Sequence, residues 1–232
     1  MLYRVRVSQE TVTVGKITSN TLFGAFLTAY SSLYDIDESM IDDIVLSDMF
    51  IEGVLPNGVA DNTTVFNKNK KVRDVVVTRS LISRDCETNN VINNVIGSYV
   101  KDNEFYISSE LLGKDELEKI IKLMLEIGIG KWRNVGKGRY KLKSIEEFVP
   151  ETDVKKFVAL GNFIPNDEDL LDIENVGYTV RNATATNGKR QKPTAMLLTG
   201  TTFRSVKQIV GKHIFDENSE TYIHGKSIVI GV

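Results

Sequence analysis

Residues 115–140 read DELEKIIKLMLEIGIGKWRNVGKGRY. Leu117, Ile120, Ile121, Met124 and Leu125 recur at the three- and four-residue steps that share one face of an α-helix, with Asp115 able to cap its start and Gly128 its end. Such a helix needs a sheet to cover its stripe. One strand is predicted before it, over Glu104–Ser109, and another after it, over Tyr140–Phe148. The same succession opens the chain. Leu2–Val7 alternates, with Tyr3, Val5 and Val7 on one face and Leu2, Arg4 and Arg6 on the other. After the turn-like Ser8–Gly15, Thr18, Ser19 and Asn20 offer cap oxygens to a helix carrying Leu22, Phe23, Phe26, Leu27, Tyr30, Leu33 and Tyr34. A strand or extended segment is predicted over Val45–Val54.

Strand, helix, strand repeated twice is the ferredoxin-like order that RNA-recognition folds also use. The predicted class is α+β: one full ferredoxin-like (RRM-like) unit over residues 1–150, with a polar, basic insertion near 62–94, read as a long hairpin or a partly mobile excursion, and a glycine-rich loop at 128–139. Residues 151–232 are β-rich: a strand in Val154–Phe163, a short acidic helix near Asn166–Ile173, then alternating runs Val176–Val180, Thr194–Phe203 and Tyr222–Val232. A second, abbreviated ferredoxin-like unit is expected there.

A chain of 232 residues that is 41% hydrophobic can bury a core of that size. It has no run of about 18 apolar residues, and MLYRVRVSQE at residues 1–10 alternates rather than forming an apolar leader, so a cytoplasmic protein with no membrane partner is expected. The single cysteine, Cys86, excludes an internal disulfide and a paired-thiol zinc site; no metal is expected. The net charge of −2 conceals a sorted distribution. Acids cluster at Asp35–Asp48, Asp167–Glu174 and Asp216–Glu220, whereas 127–145 contains no acid and six cations, and 175–215 no acid and seven. Basic stripes of this kind suit a polyanion, whose condensed counterions they displace, or else a solvated face with its counter-charges across the fold.

Within the loop, Gly130, Gly136 and Gly138 let the main chain approach a phosphate. Lys131, Arg133, Lys137 and Arg139 supply charge, Asn134 a polar contact and Trp132 a stacking plane. It is not a P-loop, because it follows a helix, leads into a strand and lacks the Ser or Thr that would meet a magnesium ion. Thr18, Ser19, Asn20 and Thr21 offer a second anion site through free N–H groups at a helix start. Arg190 and Lys192, with Lys189 and the neighbouring Gly188, form a second basic cluster.

Four segments in chain order carry a resemblance to a known family. Ser19–Phe26 (SNTLFGAF) is similar to an S-D-T-L-F-G-A motif, with Asn20 in the place of Asp. Leu46–Phe50 (LSDMF) followed by Leu55 and Pro56 is similar to S-D-A-F…L-P. Gly128–Arg139 is similar to a G-rich loop, and Leu198–Phe203 (LTGTTF) with Tyr222–Lys226 (YIHGK) to E-G-S-V-F and Y-R-Y-G-K endings, Thr199 standing for the acid. On these motifs the chain resembles the RAMP superfamily of CRISPR proteins, in particular the fourth subunit of the type III-A Csm effector complex, of the Cas-five group. The resemblance implies a non-catalytic subunit that grips the 5′ tag of the guide crRNA and takes no other cofactor. It implies as partners the large polymerase/nuclease subunit and the backbone RAMP subunits. It also implies that Arg79 and Arg84, in TRSLISR at 78–84, belong to an inserted basic hairpin that touches guide RNA.

The alternative activity in that superfamily is a metal-independent endoribonuclease that processes CRISPR repeat RNA, which requires a general acid and base, most often histidine. Only His213 and His224 are present, both far in sequence from the loop; Asp48 is a lone acid of the kind that caps turns. A third reading is a protein-docking scaffold whose acidic segment Asp35–Asp48 meets a basic partner.

Overall fold

Tyr3, Val5 and Val7 are buried along one face of the strand Leu2–Gln9, and the residues between them are half-exposed, as the two-residue period requires. This strand sits in the middle of an antiparallel sheet. Tyr140–Glu147 pairs with it on one side and Asp102–Ser108 on the other; the short strands Val45–Leu46 and Phe50–Ile51 both pair with the far edge of Asp102–Ser108. The structure, a computed structural model, describes residues 1–66, 77–84, 91–131, 133–154, 156–185, 187–204 and 208–232, with 14, 77–84, 91–98 and 135 described through their backbone only.

Three helices cover one face of this sheet: α1 (Ser19–Tyr30), α2 (Glu38–Asp43) and α3 (Lys114–Ile127). Leu22, Phe23 and Phe26 of α1, Met40 and Ile41 of α2, and Leu117, Ile120, Ile121, Met124 and Leu125 of α3 share one core with Tyr3, Val5, Val7, Phe105 and Ile107. Each fully buried aliphatic chain contributes about 1.5–3 kcal/mol, so the α3 stripe is a main stabiliser of the unit. Two predicted ends differ. Gly113, not Asp115, caps α3: the Glu116 carboxylate reaches back 3.2 Å to its N–H, and Asp115 lies in the first turn, where the helix dipole favours an acid. Helix α1 ends at Tyr30, which leaves Leu33 and Tyr34 beyond it, 47% and 39% exposed.

A second antiparallel sheet runs Ile173–Asn175, Thr202–Phe203, Phe157–Ala159, Lys226–Gly231, Ile209–Gly211 in spatial order. The acidic helix α4 (Asp167–Leu170) is capped at Asn166, whose N–H donates to Asp169. Two smaller hairpins, Tyr178–Arg181 with Thr194–Leu197 and Ile214–Asp216 with Thr221–Ile223, complete this half. The predicted strand over 194–203 is therefore two strands of different sheets, because Gly200, at φ +95°, turns the chain against the Gly58 carbonyl where a Cβ has no room.

The two halves are packed together. The face of the first sheet away from its helices buries Val45, Phe50 and Tyr106 against Leu160, Ile228 and Ile230. In the insertion, Pro56–Ala60 pairs with Thr63–Phe66, and Val77–Arg84 with Val91–Tyr99, whose other edge meets Thr13–Val14. The predicted hairpin is thus present in the described backbone; the rest of 62–94 and Cys86 lie outside the described residues. Among the described residues no helix is long and apolar enough to cross a membrane.

Candidate nucleic-acid interface

The glycine-rich loop is a closed pin. Helix α3 stops at Gly128, whose φ is +91°; the chain then doubles back so that Ile129 N–H donates to the Gly138 carbonyl at 2.8 Å, and Gly138 N–H donates to Val12 at 3.0 Å. Ile129 is fully buried. Gly138 has φ +68°, and a Cβ there would lie inside the Ile129 carbonyl, so only glycine closes the pin. A 3₁₀ turn over Arg133–Val135 makes its tip, which Gly136 N–H closes onto the Arg133 carbonyl at 3.0 Å. Lys131, Asn134 and Arg139 are exposed, Arg133 and Lys137 partly so. A rigid base with four cations around it can present charge to a phosphate without ordering a loose loop first.

The start of α1 is organised by Asp48, which is completely buried. One carboxylate oxygen accepts the Ser19 N–H at 2.8 Å; the other accepts Lys16 Nζ at 2.6 Å and Thr199 Oγ1 at 2.8 Å. Asp48 is thereby the remote cap of α1 and a tie between the halves, since its own N–H donates to Leu160. Its neighbour Ser47 takes the Tyr106 N–H on its hydroxyl at 2.8 Å, the substitution that splits the predicted 45–54 strand into two.

The outer side of α1, the loop and the second half enclose a groove of about 950 Å³. Asn20, Thr21, Gly24 and Thr28 of α1, Gly130, Lys131 and Arg133 of the loop, and Arg181, Gln191 and Tyr222 of the second half line it, with Lys16 at its rim and Phe23 at its base. Among the described residues that line it, four are cations and none is an acid. Lys16 is paired with Asp48; among the described residues no carboxylate pairs with Lys131, Arg133 or Arg181.

No family model matches the chain, and no curated protein matches it. Solved structures do. One is a chain of the Csm3-Csm4 subcomplex in the type III-A CRISPR-Cas interference complex, at TM-score 0.68 and 14% identity over 100% of this chain and 99% of that one. Another is a chain of the Csm1-Csm4 cassette in complex with AMPPNP, at TM-score 0.60 and 10% identity over 100% and 97%. Csm4 is the component the two assemblies share. The chain has a Csm4-like fold.

Within this Csm4-like fold the predicted site residues divide. Asn20, Thr21, Gly130, Lys131 and Arg133, from segments a hundred residues apart in the chain, meet in the groove. Asn134, Gly136, Lys137, Gly138 and Arg139 belong to the same pin but do not line the groove; Gly138 is buried and serves closure. The helix-start reading needs correction at Ser19: its side chain is buried and its N–H is taken by Asp48, a negative group standing where a phosphate would. Thr18 caps α1 by position only, its hydroxyl 3.2 Å from that of Thr21. Arg190 and Lys192 are exposed outside the groove, while Gln191 between them is 6% exposed and faces inward, the alternation of an extended segment. Arg79 and Arg84 fall on the strand Val77–Arg84; their side chains, and Trp132, lie outside the described residues.

His213 stacks on Phe23, and His224 packs tilted against both, with ring centroids 4.8–5.2 Å apart. His224 is fully buried and its Nε2 accepts the Leu46 N–H at 3.2 Å; His213 Nδ1 accepts the Gly225 N–H at 3.2 Å. Burial pushes the His213 imidazole down to about 4 and holds His224 well below its ordinary range. Among the described residues no group of three or more His, Cys, Asp or Glu is placed to hold a metal. Lys16, Arg181 and Gln191 were not singled out from the sequence. The acid-free stretch 175–215 pointed at Arg181, but strand parity alone did not tell which of its cations turn inward.

Proposed function

We propose that the chain is a non-catalytic subunit of a type III-A Csm effector complex in the cytoplasm, holding the 5′ tag of crRNA in the groove and docking the large polymerase/nuclease subunit and backbone RAMP subunits. The observation that carries the reading is the convergence of α1, the glycine pin and the second half on one acid-free, cation-lined groove within a Csm4-like fold. A phosphate chain laid there meets Lys131, Arg133 and Arg181, which pair with no carboxylate among the described residues, and releases counterions as it binds. The Csm3-Csm4 and Csm1-Csm4 assemblies support the protein partners. The ferredoxin-like reading is supported by strand order. In both sheets the last, first, third and second strands of the strand–helix–strand string lie side by side, with Ile209–Gly211 added at one edge of the second. What favours binding over cleavage is that burial keeps the two imidazoles neutral, and that each already accepts a backbone N–H on one nitrogen.

The test is co-expression with the genomic neighbours, followed by purification and sequencing of the RNA that accompanies the chain. Guide RNA with one fixed 5′ end, uncut by the chain alone, is expected. Changing Lys131, Arg133, Lys137 and Arg139 together to Ala is expected to strip that RNA; unchanged retention would sink the assignment of the pin. Cleavage of repeat RNA lost on changing His213 would instead establish a nuclease.

A further inference from the structure

Arg181 ends the strand Tyr178–Arg181 and is half-buried, yet its only partner among the described residues is neutral: it donates to Gln191 Oε1 at 2.5 Å. That carboxamide is held in turn. Gln191 Nε2 donates to Thr221 Oγ1 at 2.8 Å, Thr221 lies 2.7 Å from the Ser219 hydroxyl, and Ser219 donates to Asp216 at 2.5 Å. Gln191 and Asp216 are 6% and 4% exposed, so the chain of bonds is set in the fold rather than on its surface. Asp216, whose field reaches Arg181, is engaged by Ser219 and by the Lys192 N–H.

Removing a guanidinium from water is costly unless an anion faces it, and a single carboxamide oxygen satisfies one of its five N–H groups. The geometry therefore leaves an oriented, under-compensated fork in a groove without acids. Desolvation pulls the guanidinium below its ordinary value, which an anion would reverse. We infer that Arg181, oriented by Gln191, is the phosphate anchor of the groove. It takes one phosphodiester of single-stranded RNA bidentately, while Lys131 and Arg133 hold the neighbouring backbone. The inference rests on the RNA-binding reading above and assigns to the second half a contact that the glycine pin does not supply.

The experiment is a salt titration of the full-length chain against a short labelled single-stranded RNA with a repeat-derived 5′ end. R181Q is expected to bind about tenfold more weakly, with a log–log salt slope shallower by about 0.7, one phosphate's worth on a single strand. Q191L should weaken binding with the slope unchanged, because the charge stays and its orientation is lost. R181K keeps the charge and stem, and so the slope, but loses the fork and should still bind more weakly. If wild-type chain binds and K131A/R133A binds less, while R181Q and R181K match wild type in affinity and slope, the anchor is overturned and the RNA-binding reading stands. If the wild-type chain shows no salt-dependent binding, the RNA-binding reading falls and the anchor with it. Should R181Q fail to fold, R181K decides: wild-type affinity in that variant overturns the fork.

Discussion

Asp48, itself fully buried, gathers donors from two distant segments, Lys16 and Ser19 from one and Thr199 from the other. Lys16 is 49% exposed, so its charge is largely screened and the Ser19 and Thr199 bonds matter more. Asp48→Ala leaves the buried Ser19 N–H unsatisfied and Thr199 Oγ1 with only Asn162 Oδ1, at 3.1 Å, and is expected to cost about 3 kcal/mol, with Asp48→Asn costing less; the denaturant midpoint measures both. A shift below about 0.5 kcal/mol in the Ala variant would show that water replaces the carboxylate. The histidine pair makes a second prediction. An unfolded imidazole titrates near its ordinary value of 6.5, whereas burial pushes His213 in the fold down to about 4 and holds His224 well below its ordinary range. In that window the unfolded chain binds more protons, so stability falls as pH drops from about 6.5 towards 4, by about 2 kcal/mol between pH 7 and pH 5 for one such group. Urea unfolding at those two pH values measures the loss, and His213→Gln is expected to reduce it.

Among the elements, α3 was legible in its stripe and its stop, though not in its cap: all five predicted residues are buried and Gly128 ends it, while Gly113 rather than Asp115 begins it. Local period and a terminal glycine are properties a sequence states directly. Ile120→Ala is expected to cost about 3 kcal/mol by cavity formation, read as a lowered thermal midpoint. The pin that follows was legible in composition but not in shape. Its closure depends on the bonds of Ile129 and Gly138 with each other and with Val12, a segment far away in the chain. Gly138→Val is expected to break that closure while sparing the fold of the rest. It should weaken RNA retention about as much as removing two loop cations, and normal retention in a folded G138V chain would show that the pin's shape is irrelevant. The segment Val45–Val54, predicted as a strand or extended, holds two short strands, because the Ser47 hydroxyl takes the Tyr106 N–H where a strand would offer its carbonyl and the Asp48 N–H turns to Leu160.

At the scale of the molecule, the first sheet is covered by its helices on one face and, over Val45, Phe50 and Tyr106, by Leu160, Ile228 and Ile230 of the second half on the other. Cutting the chain near residue 150 would expose Val45, Phe50 and Tyr106 together. The full chain is therefore expected to unfold in one transition, with calorimetric and van't Hoff enthalpies in agreement, and residues 1–150 alone to bind a hydrophobic dye. Two resolved transitions would mean that the shared core contributes little. The division at 150 that the sequence suggests marks a change of sheet, and the packing across it ties the sheets together.

By itself the sequence determined the α+β class, the α3 stripe, the α1 stripe as far as Tyr30, the alternating first strand and the basic, glycine-rich composition of 128–139, because each is written in local periodicity or composition. Only the tertiary structure decided which cations share a surface. It brought Asn20, Thr21, Lys131, Arg133 and Arg181 to one groove, turned Gln191 inward between the outward Arg190 and Lys192, and withdrew Ser19 behind Asp48. Those outcomes depend on long-range pairing and on which buried acid claims which donor, and no local pattern in the chain encodes either.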